Sequence, residues 1–223
     1  MKKFLSILLI PLFGGFTLQD PHPEFRGGAR ALNSFLADHL IYPEYSKQNC
    51  LDGTVQVGFH LDREGKVTDA KVQRGFGTDL DDEALRIVQL TSGRWTVPAN
   101  YDPATPIILP VTFQNPQGYR CTGVSREDRQ KAIAAYQSRQ GLEEAVTNYY
   151  KNRSGSKADT AKESQIDALK TQLGINDEYI SGLLKQAQKK IKQGDIKSAC
   201  EDLNYIKNLG STKADKLLAQ YCK

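Results

Sequence analysis

The stretch that decides the fold of the first half of the chain is Gly53-Thr-Val-Gln-Val-Gly-Phe-His-Leu61. Its apolar side chains fall on every second residue from Val55 to Leu61, and this period of two predicts a half-buried β-strand. The turn Asp62-Arg-Glu-Gly65 follows, with glycine where a positive φ is needed, and leads into a second run over 66–73. The two runs therefore predict a hairpin, with a bulge or a weakly buried start near Val67.

Two helices and a third strand flank this hairpin. Apolar residues at helical spacing predict a first helix over 27–39, which ends before Tyr42-Pro43 because a residue that precedes proline leaves the α region. A second apolar stripe with an acidic start predicts a helix over 79–91. The run over 106–114 alternates as a strand and contains Pro110, which favours an edge position. The predicted order is helix, strand, strand, helix, strand, an α+β domain.

Five short motifs occur in this order over about residues 24–114. They are Tyr42-Pro43, Gly53-Thr-Val-Gln-Val-Gly-Phe59, Asp62-x-x-Gly65-x-Val67, Leu80-Asp81-x-x-Ala84-Leu85 and Pro110-Val-Thr-Phe113. Together they resemble the TonB C-terminal domain family. The resemblance implies a three-stranded antiparallel sheet with two helices on one face. It also implies a non-enzymatic role, in which the domain binds the periplasmic segment of outer-membrane receptors by adding a strand to the sheet edge.

An edge position for the third strand predicts which of its residues meet a partner. Residues of an antiparallel strand alternate between bonding to the neighbour and presenting N–H and C=O outward. Pro110 has no N–H, so it is an outward position, and by parity Ile108 and Thr112 are outward too. We predict these three as the partner-binding residues. The intervening residues are expected to bond the first strand and face the core: Ile107, Leu109, Val111 and Phe113.

The N-terminus has the layout of a secretory signal. Lys2-Lys3 precede an apolar run that ends at Leu18, and a basic stretch before an apolar one is typical of export. The run is shorter than the roughly 20 residues that cross a bilayer. We therefore predict that residues 1–19 are a signal peptide, with an uncleaved inner-membrane anchor as the alternative, and that the chain works in the periplasm.

Charge and composition divide the exported chain in two. Residues 20–118 carry 9 Lys and Arg against 13 Asp and Glu, whereas residues 119–223 carry 19 against 13. The second part has no proline and is dense in Lys, Gln, Ala and Leu, which indicates an all-α domain. We predict a TonB C-terminal-like domain over 20–118 and a helical domain over 119–223.

Glycines and polar runs mark the expected breaks in the helical domain. An N-cap at Ser125 predicts one or two helices broken near Gly141, followed by a flexible link over 151–162. Residues 176–222 resemble one and a half tetratricopeptide units, with Gly194-Asp195 at the turn between two helices.

Four cysteines remain after the signal, and an even number in an oxidising compartment favours disulfides. Two lie in or just after the first domain and two lie near the end of the second. We therefore favour Cys50–Cys121 and Cys200–Cys222 among the three connectivities, with free buried thiols as the alternative.

No constellation of residues indicates catalysis, a cofactor or a metal site. The histidines His22, His39 and His60 lack metal-ligand spacing. Adjacent helical positions point in different directions, so we interpret Asp81, Asp82 and Glu83 as a solvated helix start. Trp95 is interpreted as a core residue.

The lysines of the second domain could form a solvated helix face or attract an anionic partner or membrane. They include Lys185, Lys189, Lys190 and Lys192. Nucleic acid does not fit an exported protein, and membrane contact is expected only through an uncleaved N-terminus or this basic face.

Two functions of different classes follow. The first is a periplasmic module that captures an extended peptide of an outer-membrane receptor or other envelope protein by strand addition, linked to TonB-dependent transport. The second is an envelope scaffolding protein, in which the helical domain recruits partners and the sheet self-associates as a homodimer.

Overall fold

The computed structural model describes residues 22–114, 121, 123–153 and 160–223, so the signal peptide predicted over 1–19 lies outside the described residues. The protein is an α+β structure with a helical C-terminal region. In chain order the elements are β1 (Glu24–Phe25), α1 (Gly28–His39), α2 (Glu44–Gln48), β2 (Gly53–Leu61), β3 (Val67–Arg74), α3 (Asp79–Leu90), β4 (Trp95–Thr96), β5 (Ile107–Phe113), α4 (Arg126–Asn152), α5 (Thr160–Gln172), α6 (Asp177–Lys192), α7 (Ile196–Asn208) and α8 (Asp215–Tyr221), with a 3-10 turn over Thr212–Ala214 before α8.

The main sheet has the antiparallel order β3-β2-β5, which places the stretch with the strict apolar alternation in the centre. Val55, Val57, Phe59 and Leu61 have no exposed surface. Burying such a side chain contributes roughly 1.5–3 kcal/mol to stability, so β2 anchors the core of this half of the chain. The predicted strand over 53–61 is confirmed in full.

The β2–β3 hairpin has the predicted turn and the predicted irregularity. Gly65 adopts φ +76°, and any Cβ there would collide with the main-chain carbonyl of Trp95. Gly58 pairs with Lys71 and His60 with Thr68, so β3 holds one extra residue, and Asp69 takes φ +46°. This β-bulge explains why the apolar residues of β3 change phase after Val67.

The predicted helices of the first half are α1 and α3, and both lie within one residue of their expected bounds. The Thr78 hydroxyl accepts from the Leu80 N–H and caps α3. The structure adds three short elements that the sequence did not indicate: α2 and the β1–β4 pair. Trp95 in β4 is 6% exposed and packs in the core, as predicted.

Helix α4 runs without interruption from Arg126 to Asn152, so the predicted break near Gly141 is wrong. Glycine inside a helix costs only about 1 kcal/mol. Here the Arg139–Glu143 ion pair, at 2.7 Å, spans the glycine on consecutive turns, and Val146 is fully buried beyond it. The capping box of Ser125 and Asp128 at the start of α4 is present.

The predicted link over 151–162 is also partly wrong, because helical residues occupy both of its ends. Helix α5 follows it, and α6 and α7 pack on each other around Leu203, Ile206 and Leu209. Gly194 at φ +78° forms the turn between α6 and α7, and Asp195 caps α7. The tetratricopeptide-like character of 176–222 stays a prediction.

Both disulfides form as predicted. Cys50 joins Cys121, and Cys200 joins Cys222. The first connects the entry of β2 to the chain after β5, and the second ties α7 to the C-terminus.

The described residues form two apolar cores, one around the main sheet and one among α4, α6 and α7. Helix α4 contributes to both, since Ala132 and Tyr136 pack on the sheet core and Val146 on the helical core. The boundary at 118/119 therefore stays a prediction. Across the described ranges, no helix is long and apolar enough to cross a membrane.

Candidate functional site

The outer edge of β5 is the first feature of the candidate site. Within the described part of the chain no strand pairs with this edge. Leu109, Val111 and Phe113 are buried, while the side chains between them are exposed, with Ile108 at 58%. The alternation of inward and outward side chains follows the predicted parity.

The pairing register gives the direction of the main-chain groups. Pro110 lies opposite Gln56, and because proline has no N–H this pair is a non-hydrogen-bonded one. Thr112 lies opposite Thr54, with their hydroxyl oxygens 3.0 Å apart, as expected for the closer approach of such a pair. The main-chain groups of Ile108 and Thr112 therefore point away from β2. Their role as partner-binding residues, with Pro110, stays a prediction.

A groove of about 880 Å³ runs beside this edge, and we call it the edge groove. Its volume lies within the range of roughly 300–1,000 Å³ that is typical of ligand pockets. Its walls come from α1, α2, β5 and α6, and include Leu36, Leu40, Pro110, Thr112, Lys185 and Lys189. The sequence placed α6 in a separate domain and gave no signal that it borders the sheet edge.

A buried ion network fixes the helical region against the sheet. Arg86 on α3 donates to both carboxylate oxygens of Glu83 at 2.7 Å, to Asp195 at 3.0 Å and to the His39 carbonyl at 2.9 Å. Gln193 donates to the same His39 carbonyl at 2.9 Å. Since Asp195 caps α7 and Gln193 ends α6, the network joins α3 directly to the turn between those helices.

This network corrects two sequence interpretations. Glu83 is 5% exposed, so the prediction of a solvated helix start is wrong for this residue, because Arg86 one turn later neutralises it. Asp81 instead accepts from the N–H groups of Phe76 and Gly77. Lys190, outside this network, is also not on a solvated face, since its ammonium group is largely buried and donates to Asp202 Oδ1 at 2.8 Å. One signal was available: Glu83 and Arg86 lie three residues apart on a stripe with Leu80 and Ile87.

A second cavity of about 520 Å³ lies between α3 and the helices α4, α6 and α7, and its lining includes several carboxylates and tyrosines. Burial raises the pKa of Asp79 to about 6, although hydrogen bonds from Ser46 oppose the shift. Burial also raises the pKa of Tyr136 and Tyr179 above their ordinary value. Asp79, Tyr136 and Tyr179 lie between the two cores, so a change in their ionisation changes the free energy of unfolding.

The histidines lie apart. His39 bonds the Phe35 carbonyl at 2.8 Å, and His60 lies 3.6 Å from Asp69. Among the residues whose placement is described, no three His, Cys, Asp or Glu side chains are grouped as metal ligands would be.

The segment that forms the main sheet is similar to a known protein family. The family described as Gram-negative bacterial TonB protein C-terminal matches residues 38–114, which span α2, the main sheet and α3. This segment is therefore similar to TonB C-terminal domains. TonB C-terminal domains are protein-interaction domains rather than enzymes, and the match indicates a TonB-like protein of the bacterial envelope. No curated protein and no solved structure matches the chain.

Proposed function

We propose that this protein captures an extended peptide of an outer-membrane protein in the periplasm by adding it as a strand to β5. The observation that carries the proposal is the outer edge of β5, with which no described strand pairs, in a segment similar to TonB C-terminal domains. At this edge Ile108 is exposed and its main chain is turned outward. Strand addition takes its affinity from main-chain hydrogen bonds along such an edge.

The edge offers a limited set of bonds. Ile108 and Thr112 each present one N–H and one C=O, while Pro110 presents a carbonyl without a donor. An incoming strand thus finds two donors and three acceptors over five residues of β5. Each net bond contributes roughly 0.5–1.5 kcal/mol, so capture is modest in strength and reversible.

The test is Ile108→Pro in the exported chain, used as bait in envelope extract. This change removes one of the two outward donors, so recovery of outer-membrane proteins should fall several-fold. Ile108→Ala keeps the N–H and is the matched control. Leu109→Pro should instead unfold the sheet, because its N–H bonds β2.

Folding of each variant is checked by the fluorescence of Trp95, the single tryptophan, which is buried beside the sheet. A folded Ile108→Pro protein that recovers as much partner as the parent would contradict strand addition. Recovery of only the protein itself or of soluble proteins would favour the scaffolding function.

A further inference from the structure

The edge groove carries a net positive charge. Lys47, Lys185 and Lys189 line it, against one carboxylate, Glu44. Lys47 lies 3.1 Å from Glu44, so that pair is internally compensated. Lys185 and Lys189 are exposed, and within the described chain no carboxylate lies within 4.0 Å of either ammonium group. Two uncompensated cations therefore face the space beside β5.

Helix α6 is held in place along the groove. The Gln186 amide donates to the Tyr42 carbonyl at 3.1 Å, and Gly182 lies so close to the Glu44 carboxyl group that any side chain would collide with it. The Arg86 network fixes the far end of the same helix. The helix that carries the two lysines is thus held in place, and it comes from a region outside the segment that matches the family.

The spacing of the two lysines suits a strand. Residues i and i+4 of a helix are about 6 Å apart along its axis. Same-face residues of a strand, i and i+2, are about 6.7 Å apart. The two spacings match, so a strand that runs along α6 would place carboxylates at alternate positions opposite both lysines.

We infer that the groove selects an acidic peptide, one whose added strand turns carboxylates at alternate positions towards Lys185 and Lys189. The inference rests on the proposed strand addition at β5 and names the chemistry of the peptide that is captured. The β5 edge supplies the sequence-independent bonds, and α6 supplies the selection by charge.

The experiment measures the binding of fluorescein-labelled peptides Thr-X-Val-X-Val-X-Val-Thr to the exported chain by fluorescence polarisation, with X as Glu, Gln or Lys. Each exposed ion pair contributes roughly two- to fivefold in affinity, so the Glu peptide should bind roughly five- to twentyfold more tightly than the Gln peptide at low salt. The Lys peptide should bind more weakly than both.

The decisive variant is Lys185→Gln with Lys189→Gln, which should bind the Glu and Gln peptides alike while retaining the affinity of the parent for the Gln peptide. Lys192→Gln with Lys207→Gln removes the same charge from exposed positions outside the groove and should keep the preference.

Four outcomes are distinguishable. Equal binding of all three peptides that is lost in Ile108→Pro overturns the acidic selection and leaves strand addition standing. Binding of none overturns both. If both double variants lose the preference for the Glu peptide equally, the preference comes from the net charge of the protein, and the role of α6 is overturned. Loss in the groove variant alone supports the inference.

Discussion

Replacing Arg86 with methionine should destabilise the protein strongly, because the guanidinium is the centre of the network between sheet and helices. Arg86 is 7% exposed and Glu83 is 5% exposed. Without Arg86 the Glu83 carboxylate stays buried, with the Ile41 N–H at 2.7 Å still donating to it. The Asp195 carboxylate is affected less by the loss of Arg86, because it still accepts a hydrogen bond from the Ser198 N–H.

The magnitude follows from the geometry. Removing one partner of a buried ion pair costs about 3–5 kcal/mol, since it leaves an uncompensated charge. This is a large share of the roughly 5–15 kcal/mol that stabilises a typical protein. Replacing both partners by apolar side chains of similar size is often close to neutral. Glu83→Leu with Arg86→Met removes the buried charge but leaves the Ile41 N–H without its acceptor, so the double variant should recover part of the loss, with a coupling energy of about 1–3 kcal/mol between the two changes.

The assay is urea unfolding followed by Trp95 fluorescence and by far-ultraviolet circular dichroism. The indole N–H of Trp95 bonds Thr91 at 2.9 Å, so its emission reports the sheet core, whereas dichroism weights the helices. Arg30→Met, at an exposed position of α1, is the matched control and should stay within about 0.5 kcal/mol. The reasoning is refuted if Arg86→Met costs less than about 1 kcal/mol or if the double variant is no more stable than the single one.

Burial raises the pKa of Asp79 from its ordinary 3.8 to about 6, so its stabilising contribution is full below pH 3.8 and is lost as pH rises through 6. The free energy of unfolding of the parent should rise by about 2 kcal/mol as the pH falls from 7 to 4, and Asp79→Asn should remove this rise. Parallel pH curves of the two proteins would contradict this assignment. Cys50→Ser with Cys121→Ser opens a loop with a separation of 71 residues and should cost about 4 kcal/mol in the chain-entropy estimate. Cys200→Ser with Cys222→Ser opens 22 residues and should cost about 3 kcal/mol, and unfolding under non-reducing conditions that ranks the two pairs in the reverse order would contradict the estimate.

The features that the sequence predicted well depend on local physics. The alternation from Val55 to Leu61 specifies a strand and its buried face without knowledge of any partner. The missing N–H of Pro110 fixes the parity of β5 in the same way. The disulfide pairing followed from the grouping of the cysteines along the chain.

The features that were missed depend on distant residues. The spacing of Glu83 and Arg86 is a local signal for their pairing, but Arg86 meets Asp195 across a separation of 109 residues, so nothing near Glu83 shows that the helical region covers and buries this pair. The continuity of α4 through Gly141 likewise comes from packing against both cores, which outweighs the weak local preference of one glycine. Lys185 and Lys189 line the edge groove only because α6, which packs on α2, borders the same groove as β5.

If β5 carries the proposed captured strand, the Cys50–Cys121 disulfide affects how the domain responds to a pulling force. Tension on that strand would pass to β5 through the main-chain hydrogen bonds between the two strands, and from β5 to β2. The first residue of β2, Gly53, pairs with Phe113 at the end of β5. Cys50 lies just before this end of β2 and Cys121 lies after this end of β5. If these ends of β2 and β5 are pulled apart, the covalent bond keeps the two chain segments linked, so the separated strands stay close enough to pair again.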